Sequence, residues 1–531
     1  MAKSALIKSL RRAYKIARAS IKTGIPAEDL LDVFNQRTSR RRLLYGGLAL
    51  ASAIGAATWE RRDDSVAYAT TSKVLVVGAG VAGLTAAYRL HQAGVPVDII
   101  EATNRVGGRM RSLPNAAGTS TTVELGGEFI DTSHTHLRSL AKELGLKTAD
   151  LQAADQGLEP ETWYFQGRKV SQTEIIHEFA PLAQKISQDL AVIGKNPVNY
   201  QSHNQAAVRL DNLSIAEYLD KAQISPMLRQ MLQVAYTAEY GRETEEQSCL
   251  NLLLVIGTEA GTFKVYGESD ERYKIEGGND QVPRRLAQSL EKFIETGTAL
   301  EAISTLSDGR YQVALRSGSS TFSRKYERIL LALPFTILRQ ISINVNLPPV
   351  KRLAIAQLGY GTNAKLITGY QERIWRTRYG STAAVFTDLG FQNTWESSRN
   401  NPGPKGCVTD FTGGKHGLSL GSGTAETQAQ ILMPQLEQVF PGISSLRQGE
   451  AIRAYWPGEH YTRGSYSCYL VGQWTKLSGA ERQRVGNLFF AGEHCSLEAQ
   501  GYMEGGCATG EAAALQILQD LGRTQQVRIQ K

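Results

Sequence analysis

From residue 73 onward, short apolar runs alternate with longer stretches in which small and apolar residues are mixed with polar ones. Lys73–Val77 is an apolar, β-branched run of the kind found in strands that are buried inside a parallel sheet. Leu84–Leu90 predicts a helix, and Val95–Ile100 predicts a second strand. A strand, a helix and a strand in succession form a βαβ unit, which predicts an α/β fold with a doubly wound parallel sheet.

The turn inside this unit, Gly78–Gly83, has the spacing G-x-G-x-x-G. The first glycine permits a tight turn, the second lets the backbone approach a pyrophosphate, and the third allows helix and strand to pack closely. The helix N-terminus adds N–H groups and a partial positive charge for the phosphates. Glu101 ends the second strand, where its carboxylate can accept hydrogen bonds from ribose hydroxyls. The unit therefore predicts a bound dinucleotide, the alternative being a glycine-rich turn without a ligand.

Two further glycine segments follow the unit. Arg105–Arg109 places a glycine pair between arginines, whose guanidinium groups suit the same pyrophosphate. Glu124–Gly127 carries another glycine pair a short distance downstream.

The C-terminal part contains a second candidate contact with the cofactor. Leu488–Ala491 predicts a strand that leads into Gly492 and Glu493, and Gly501–Gly506 opens a helix of small residues that includes Ala508–Leu515. Small residues at a helix start allow a flat ring to approach, and the helix dipole stabilises negative charge on that ring.

These motifs resemble those of the flavin monoamine oxidase family, which contains monoamine oxidases, polyamine oxidases and L-amino acid oxidases. The resemblance covers most of residues 73–520 and extends to Tyr273–Pro283, Leu331–Pro334 and Gln247–Leu254. It implies FAD as the cofactor and a Rossmann-like FAD-binding domain interleaved with a substrate domain of mixed sheet and helices. The predicted segments are 1–42 for a basic leader, 43–72 for an apolar export segment and linker, 73–130, 276–335 and 450–520 for the FAD-binding domain, and 131–275 and 336–449 for the substrate domain.

The resemblance also implies which residues contact FAD. They are Gly78, Gly80, Val81, Ala82, Gly83, Glu101, Ala102, Arg105, Gly108, Arg109, Gly126, Gly127, Glu128, Phe129, Leu300, Trp456, Gly492, Glu493, Gly501, Tyr502 and Met503.

Three residues match catalytic positions of the family. Lys365 lies in a strand pattern that ends at Trp375 and resembles the lysine that contacts flavin N5 through a water, where it would assist reoxidation or imine hydrolysis. Tyr466 and Tyr502 match the two rings that flank the substrate nitrogen.

A resemblance to the covalent members of the family breaks down at one position. Those members attach the flavin through a cysteine, whereas this chain has Ser465 in that place and Cys468 three residues later. The sequence therefore predicts non-covalent FAD.

The implied reaction is oxidation of a C–N bond in a small primary or secondary amine or an L-amino acid. Hydride passes to flavin N5, the imine hydrolyses to a carbonyl and ammonia, and electrons continue to O2, which gives H2O2, or to a quinone. L-amino acid oxidases of the snake-venom kind place an arginine shortly after the Leu-Gly pair, and Leu125–Ile130 contains none. That favours amines, or an amino acid clamped by Arg463. Glu128 could instead attract a second cationic group, as in a polyamine or a basic amino acid.

Two other classes share the glycine signatures. A desaturase or protoporphyrinogen-oxidase-like enzyme would act on a hydrophobic substrate, but Lys365 and the tyrosine pair argue against it. A non-catalytic protein with the same fold would bind a partner, but the intact Glu101 and Glu493 argue against that.

The net charge of +8 belongs to the N-terminus. Residues 1–42 contain eleven Lys or Arg and three acidic residues, and the rest of the chain carries 48 of each sign. The neutral body excludes nucleic-acid binding as the main function.

The five cysteines form no CxxC, and His134 and His136 have no third ligand at a suitable spacing, so neither a metal site nor a disulfide framework is expected.

A twin-arginine motif in Ser39–Leu44 precedes the uncharged, apolar stretch Tyr45–Trp59. This order predicts a bacterial Tat signal, with the Tat translocon as a partner and the periplasm or an equivalent lumen as the destination. An uncleaved leader would anchor the enzyme, and the basic region before it could contact anionic lipid.

Overall fold

A computed structural model describes residues 73–523, and the predicted leader and export segment lie outside them. The strands of the described chain are β1 (Val74–Val77), β2 (Val97–Ile100), β3 (Ser112–Leu113), β4 (Val123–Glu124), β5 (Thr148–Asp150), β6 (Thr162–Phe165), β7 (Arg168–Val170), β8 (Tyr273–Ile275), β9 (Ile294–Glu295), β10 (Thr298–Thr305), β11 (Tyr311–Ser317), β12 (Ser320–Tyr326), β13 (Arg328–Leu331), β14 (Ser342–Asn344), β15 (Ala364–Tyr370), β16 (Val385–Thr387), β17 (Asn393–Glu396), β18 (Gly406–Thr412), β19 (Arg447–Tyr455) and β20 (Leu488–Phe490).

The α-helices of the same residues connect and cover these strands. They are α1 (Val81–Gln92), α2 (Thr135–Glu143), α3 (Leu151–Ala154), α4 (Gln172–Ile193), α5 (Gln205–Asp211), α6 (Ile215–Lys221), α7 (Pro226–Tyr240), α8 (Leu250–Leu253), α9 (Gln281–Leu290), α10 (Phe335–Leu338), α11 (Pro349–Gln357), α12 (Ile374–Thr377), α13 (Gly414–Ser419), α14 (Ala425–Val439), α15 (Gln473–Leu477) and α16 (Met503–Asp520).

A five-stranded parallel sheet forms the first layer, in the order β20-β13-β1-β2-β9. Its central strand β1 is buried at every position, which explains its continuous apolar run. Helices α1, α9 and α16 pack together, and α1, α16 and the sheet share one apolar core. The predicted α/β class is confirmed, because parallel strands with crossover helices build this part. Since β1 and β2 run in parallel, the glycine turn and Glu101 meet at the same edge of the sheet.

A seven-stranded mixed sheet forms a second layer, in the order β19-β15-β18-β17-β16-β6-β7. All its pairs are antiparallel except β16 with β6. Helices α4, α6 and α7 contribute to a separate apolar core that includes Trp163 of β6. A third sheet has four strands in the order β12-β11-β10-β14.

Two predicted boundaries on this mixed sheet are wrong. Strand β19 pairs with β15 on both sides of a register shift between Gln448 and Ile452, so the predicted domain border at residue 450 falls inside this strand. Strand β15 ends at Tyr370, and Trp375 lies in the short helix α12, where its indole N–H donates to Glu396 (2.9 Å). The buried carboxylate of Glu396 fixes this helical turn, which hydrophobic periodicity does not report.

Within residues 73–523, no helix is long and apolar enough to cross a bilayer.

Candidate active site

A cavity of about 530 Å³ extends from the glycine turn after β1 to the face of the mixed sheet. Every residue that the sequence predicts at FAD lines this cavity except Gly83, and the predicted catalytic residues line it too. Gly83 lies behind the lining, where a Cβ would stand 2.0 Å from the carbonyl oxygen of Gly78. The third glycine therefore serves the packing of α1 on β1, as its position in the motif predicts.

The nucleotide end of the cavity is built by Glu101 and the start of α1. One carboxylate oxygen of Glu101 accepts from the backbone N–H of Ala79 (2.9 Å), and the other accepts from the N–H and hydroxyl of Thr103 (2.9 and 2.8 Å). Helix α1 has no capping side chain and no acidic residue in its first turn. Its first N–H groups are therefore suited to an anion. Apart from the adjoining residues of its own chain segment, no atom of residues 73–523 lies within 4 Å of a Cβ built on Gly80, so this backbone is open to the cavity.

An ion pair joins the two distant cofactor motifs. Arg109 donates from one guanidinium nitrogen to Glu493 and to the carbonyl of Ser465, both at 2.8 Å. Glu493 also accepts from the Ser467 hydroxyl (2.7 Å) and the Gly501 N–H (2.9 Å). Burial acts to raise the pKa of Glu493, but the charge of Arg109 and these hydrogen bonds bring its pKa below the usual value. The carboxylate therefore stays ionised and fixes the start of α16 beside the cavity.

Lys365 lies at the start of β15 and forms a buried ion pair with Glu128 (2.8 Å). Its ammonium group also donates to the carbonyls of Glu124 (3.0 Å) and Gly126 (2.9 Å), and these three contacts use all three of its donors. Burial acts to raise the pKa of Glu128, but Lys365 and then Lys274 lower it below the usual value. The prediction that Glu128 binds a second cation of the substrate is wrong, because Lys365 already matches its charge.

The aromatic residues predicted at the flavin and the substrate share the cavity. Tyr466 donates its hydroxyl proton to the carbonyl of Glu239, and burial raises the pKa of this phenol, which therefore stays neutral. Tyr502 occupies the N-cap position of α16 without a capping side-chain hydrogen bond, and its ring meets the ring of His134 edge-on at 5.0 Å between centroids. The indole N–H of Trp456 donates to the carbonyl of Leu125 (2.8 Å).

Sequence reasoning missed three acidic residues in the cavity lining, Glu239 near the end of α7, Glu271 in the loop before β8, and Glu459, which pairs with Arg111. Glu271 has a left-handed backbone (φ 41°), and its N–H donates to the buried carboxylate of Asp131 (2.9 Å). The Glu271 side chain is exposed where it faces the cavity, and protein surrounds it on its other sides. Burial, followed by the charges of Asp131 and Glu239, raises the pKa of Glu271 to about 8.

An aromatic cluster lines the same cavity. Trp395 packs against Phe129 at 5.1 Å and Phe411 at 5.3 Å between ring centroids. The sequence predicts Phe129 at the cofactor, but the strand pattern around Trp395 and Phe411 gives no reason to single out these two residues.

Other candidate residues lie away from the cavity. Arg463 is exposed and does not line it, so the prediction that Arg463 clamps a substrate carboxylate is wrong. His134 contacts Asp131 and His136 contacts Glu511. No cluster that could hold a metal occurs in residues 73–523. All five cysteines are buried free thiols, and Cys468 is absent from the cavity lining that contains Ser465.

Comparison with known proteins identifies the family. A family model described as "Flavin containing amine oxidoreductase" matches residues 81–518. The chain belongs to this family. Human amine oxidase [flavin-containing] B is 25% identical over 476 residues, which cover 85% of this chain and 86% of that protein. The Oncorhynchus mykiss amine oxidase is 24% identical and covers 86% of this chain and 88% of its own length.

Solved structures agree on the fold. Cyclohexylamine oxidase from Brevibacterium oxydans IH-35A has 22% identity and a TM-score of 0.74, covering 85% of this chain and all of that one. Wild-type putrescine oxidase bound to putrescine has 21% identity and a TM-score of 0.73, covering 84% of this chain and 99% of that one.

This flavin-containing amine oxidoreductase is therefore an enzyme that binds FAD and acts on amines. The residues of the cavity fit the cofactor. The open backbone at Gly80 and the uncapped start of α1 suit its phosphates, and the anchored carboxylate of Glu101 suits a ribose.

Proposed function

We propose that this enzyme oxidises a small amine that carries a second cationic group, such as a diamine, a polyamine or a basic amino acid. The observation that carries the proposal is Glu271, an acidic residue that lines the same cavity as Tyr466 and Tyr502. The Lys365 charge is matched by Glu128, so it does not offset this carboxyl group. The raised pKa of Glu271 reflects burial and crowding of negative charge, which a bound ammonium group would relieve.

The reaction divides between the cofactor and the side chains. FAD supplies the acceptor for the hydride that leaves the α-carbon of the amine. Tyr466 and Tyr502 flank the reacting nitrogen, and their rings exclude bulky polar groups from this part of the cavity. Arg109, through Glu493, holds the start of α16 in place. The released imine hydrolyses to a carbonyl compound and ammonia, and the electrons pass to O2 or to a quinone.

The cavity supports non-covalent FAD. The Ser465 hydroxyl lines the cavity and donates to Asn363 (2.6 Å). The Cys468 thiol is buried, contacts Asn251, and has its pKa raised by burial, so it offers no thiolate. We expect acid precipitation of the protein to leave the flavin in the supernatant, as absorbance at long wavelength will report. Flavin retained in the pellet would show a covalent bond.

The twin-arginine motif Arg40-Arg41 supports export of the folded, FAD-loaded enzyme. Replacing both arginines by lysine should keep the enzyme inside the cell, as fractionation followed by immunoblotting will show. Export of that variant at the original level would contradict a Tat route.

The substrate class is tested by mixing FAD-loaded protein with amines without oxygen. The panel contains diamines, monoamines of equal chain length, and basic and neutral L-amino acids, and the readouts are bleaching of the flavin band and release of ammonia. We expect diamines or basic amino acids to bleach the flavin fastest, and reoxidation by O2 and by a quinone is then compared. A yellow protein that no amine or amino acid bleaches would favour a desaturase-like enzyme instead.

A further inference from the structure

The buried pair Lys365 and Glu128 occupies the wall of the cavity that receives FAD. Only 5% and 3% of these two side chains are exposed. Glu128 is held from its other side by the Ser397 hydroxyl (3.0 Å), which in turn shares a hydrogen bond with Thr409 (2.6 Å). Both charged groups are therefore fixed by several contacts, as a buried ion pair requires.

The three N–H donors of the Lys365 ammonium group are all used by acceptors of the protein. Its two carbonyl acceptors and Glu128 belong to the segment Glu124–Glu128, which lines the cavity through Gly126, Gly127 and Glu128. A water could take a hydrogen bond from this ammonium group only by displacing one of the three acceptors. The lysine thus ties the cavity wall to β15.

The ion pair between Lys365 and Glu128 also changes the electrostatic potential in the cavity. A lone ammonium group acts as a full positive charge, whereas an ion pair with a 2.8 Å separation acts as a dipole whose potential falls off faster with distance. Two further charged groups interact electrostatically with Glu128: Lys274, which donates to the Thr122 carbonyl, and Glu124, whose carboxyl group is bound by Ser112 and Asn279. These groups point into the protein and are absent from the cavity lining.

We propose that Glu128 offsets the Lys365 ammonium group in the wall of the FAD cavity and thereby lowers the reduction potential of bound FAD and slows electron transfer to O2. This inference rests on the proposed function only in that FAD occupies the cavity. Reduction adds two electrons and one proton to FAD, which leaves an anionic ring that an uncompensated ammonium group would stabilise. Reoxidation returns two electrons and one proton to O2, and a second proton from solvent completes H2O2. Superoxide, the product of the first electron transfer, is also an anion.

The test uses three holoenzyme variants, Glu128→Gln, Lys365→Met and the combination of both. The potential is measured by anaerobic reductive titration against a reference dye, without any amine. We expect Glu128→Gln to raise the potential, Lys365→Met to lower it, and the double variant to return near the wild-type value. After photoreduction, we expect Glu128→Gln to react with O2 faster by on the order of tenfold and Lys365→Met to react more slowly.

Opposite signs that cancel in the double variant would be the signature of charge compensation. Shifts of the same sign in both single variants, or unchanged potentials, would overturn the proposal. If Glu128→Gln fails to retain FAD, Ser397→Ala provides a milder change, because it removes one hydrogen bond that stabilises the Glu128 charge, and it should raise the potential by a smaller amount. Because the titration contains no amine, failure of the substrate panel would leave its outcome unaffected.

Discussion

At a pH above the pKa of Glu271, replacing this residue by glutamine is expected to raise the KM for a diamine about 10- to 100-fold and to leave the KM for a monoamine of equal length nearly unchanged. A hydrogen bond between charged partners contributes about 1.5–3 kcal/mol, and each 1.4 kcal/mol is about tenfold in affinity. The monoamine offers an alkyl end to this part of the cavity and so loses no ion pair. Steady-state kinetics of both substrates with FAD-loaded enzyme will measure the difference.

A matched control lies in the same loop. Glu268 is exposed, pairs with Lys264 and does not line the cavity, so Glu268→Gln removes an equal charge without touching the site. It should leave both KM values unchanged. Equal losses for diamine and monoamine in Glu271→Gln would show that the glutamate supports the loop and does not select the substrate.

The raised pKa of Glu271 predicts the pH dependence of this preference. An acid with a pKa of about 8 is largely protonated at pH 7 and becomes the anion that attracts an ammonium group only as the pH rises. The ratio of kcat/KM for diamine to that for monoamine should therefore increase as the pH rises through about 8. Deprotonation of the reacting amine affects both substrates and largely cancels in the ratio. In Glu271→Gln the ratio should be flat, and a ratio that still rises would assign the dependence to another group.

The cofactor half of the site was predictable because its motifs encode local backbone geometry. Gly78 adopts φ 102° and Gly83 stands against it, and both requirements are satisfied within six consecutive residues. The end of β2 fixes Glu101 in the same way, since its carboxylate binds the N–H groups of the adjacent turns. Glycine spacing reports such short-range constraints directly.

In the substrate half, the family motifs indicate Tyr466 and Tyr502, which line the cavity, but the acidic residues were not predictable because they meet only through tertiary assembly. Glu239 and Glu271 come from a helix end and a loop, and the Asp131 carboxylate that orders the loop lies 140 positions away from Glu271. Lys365 and Glu128 are 237 positions apart, so the ion pair that corrects the predicted role of Glu128 has no signature in spacing. For Arg463, the motif suggests a role at the substrate, but the motif does not report that this residue is exposed outside the cavity.

Two single variants of the turn, Gly80→Ala and Gly83→Ala, are expected to show which glycine is needed for FAD binding alone and which is also needed for folding. Gly80 has an ordinary φ of −73° and, apart from its adjoining residues, no atom of the described chain near its Cβ position, so Gly80→Ala should keep the melting temperature of the FAD-free protein. Its methyl group would project into the space of the pyrophosphate, and overpacking of about 1–3 kcal/mol predicts a Kd for FAD that is about 10- to 100-fold higher.

Gly83→Ala places its methyl group against the Gly78 carbonyl and should lower both the melting temperature and FAD retention. Thermal melts with and without added FAD, and the flavin-to-protein ratio after dialysis, measure the two effects. Wild-type FAD retention in Gly80→Ala would contradict the assignment of this turn to the cofactor, because only a ligand remote from Gly80 would tolerate the added methyl group.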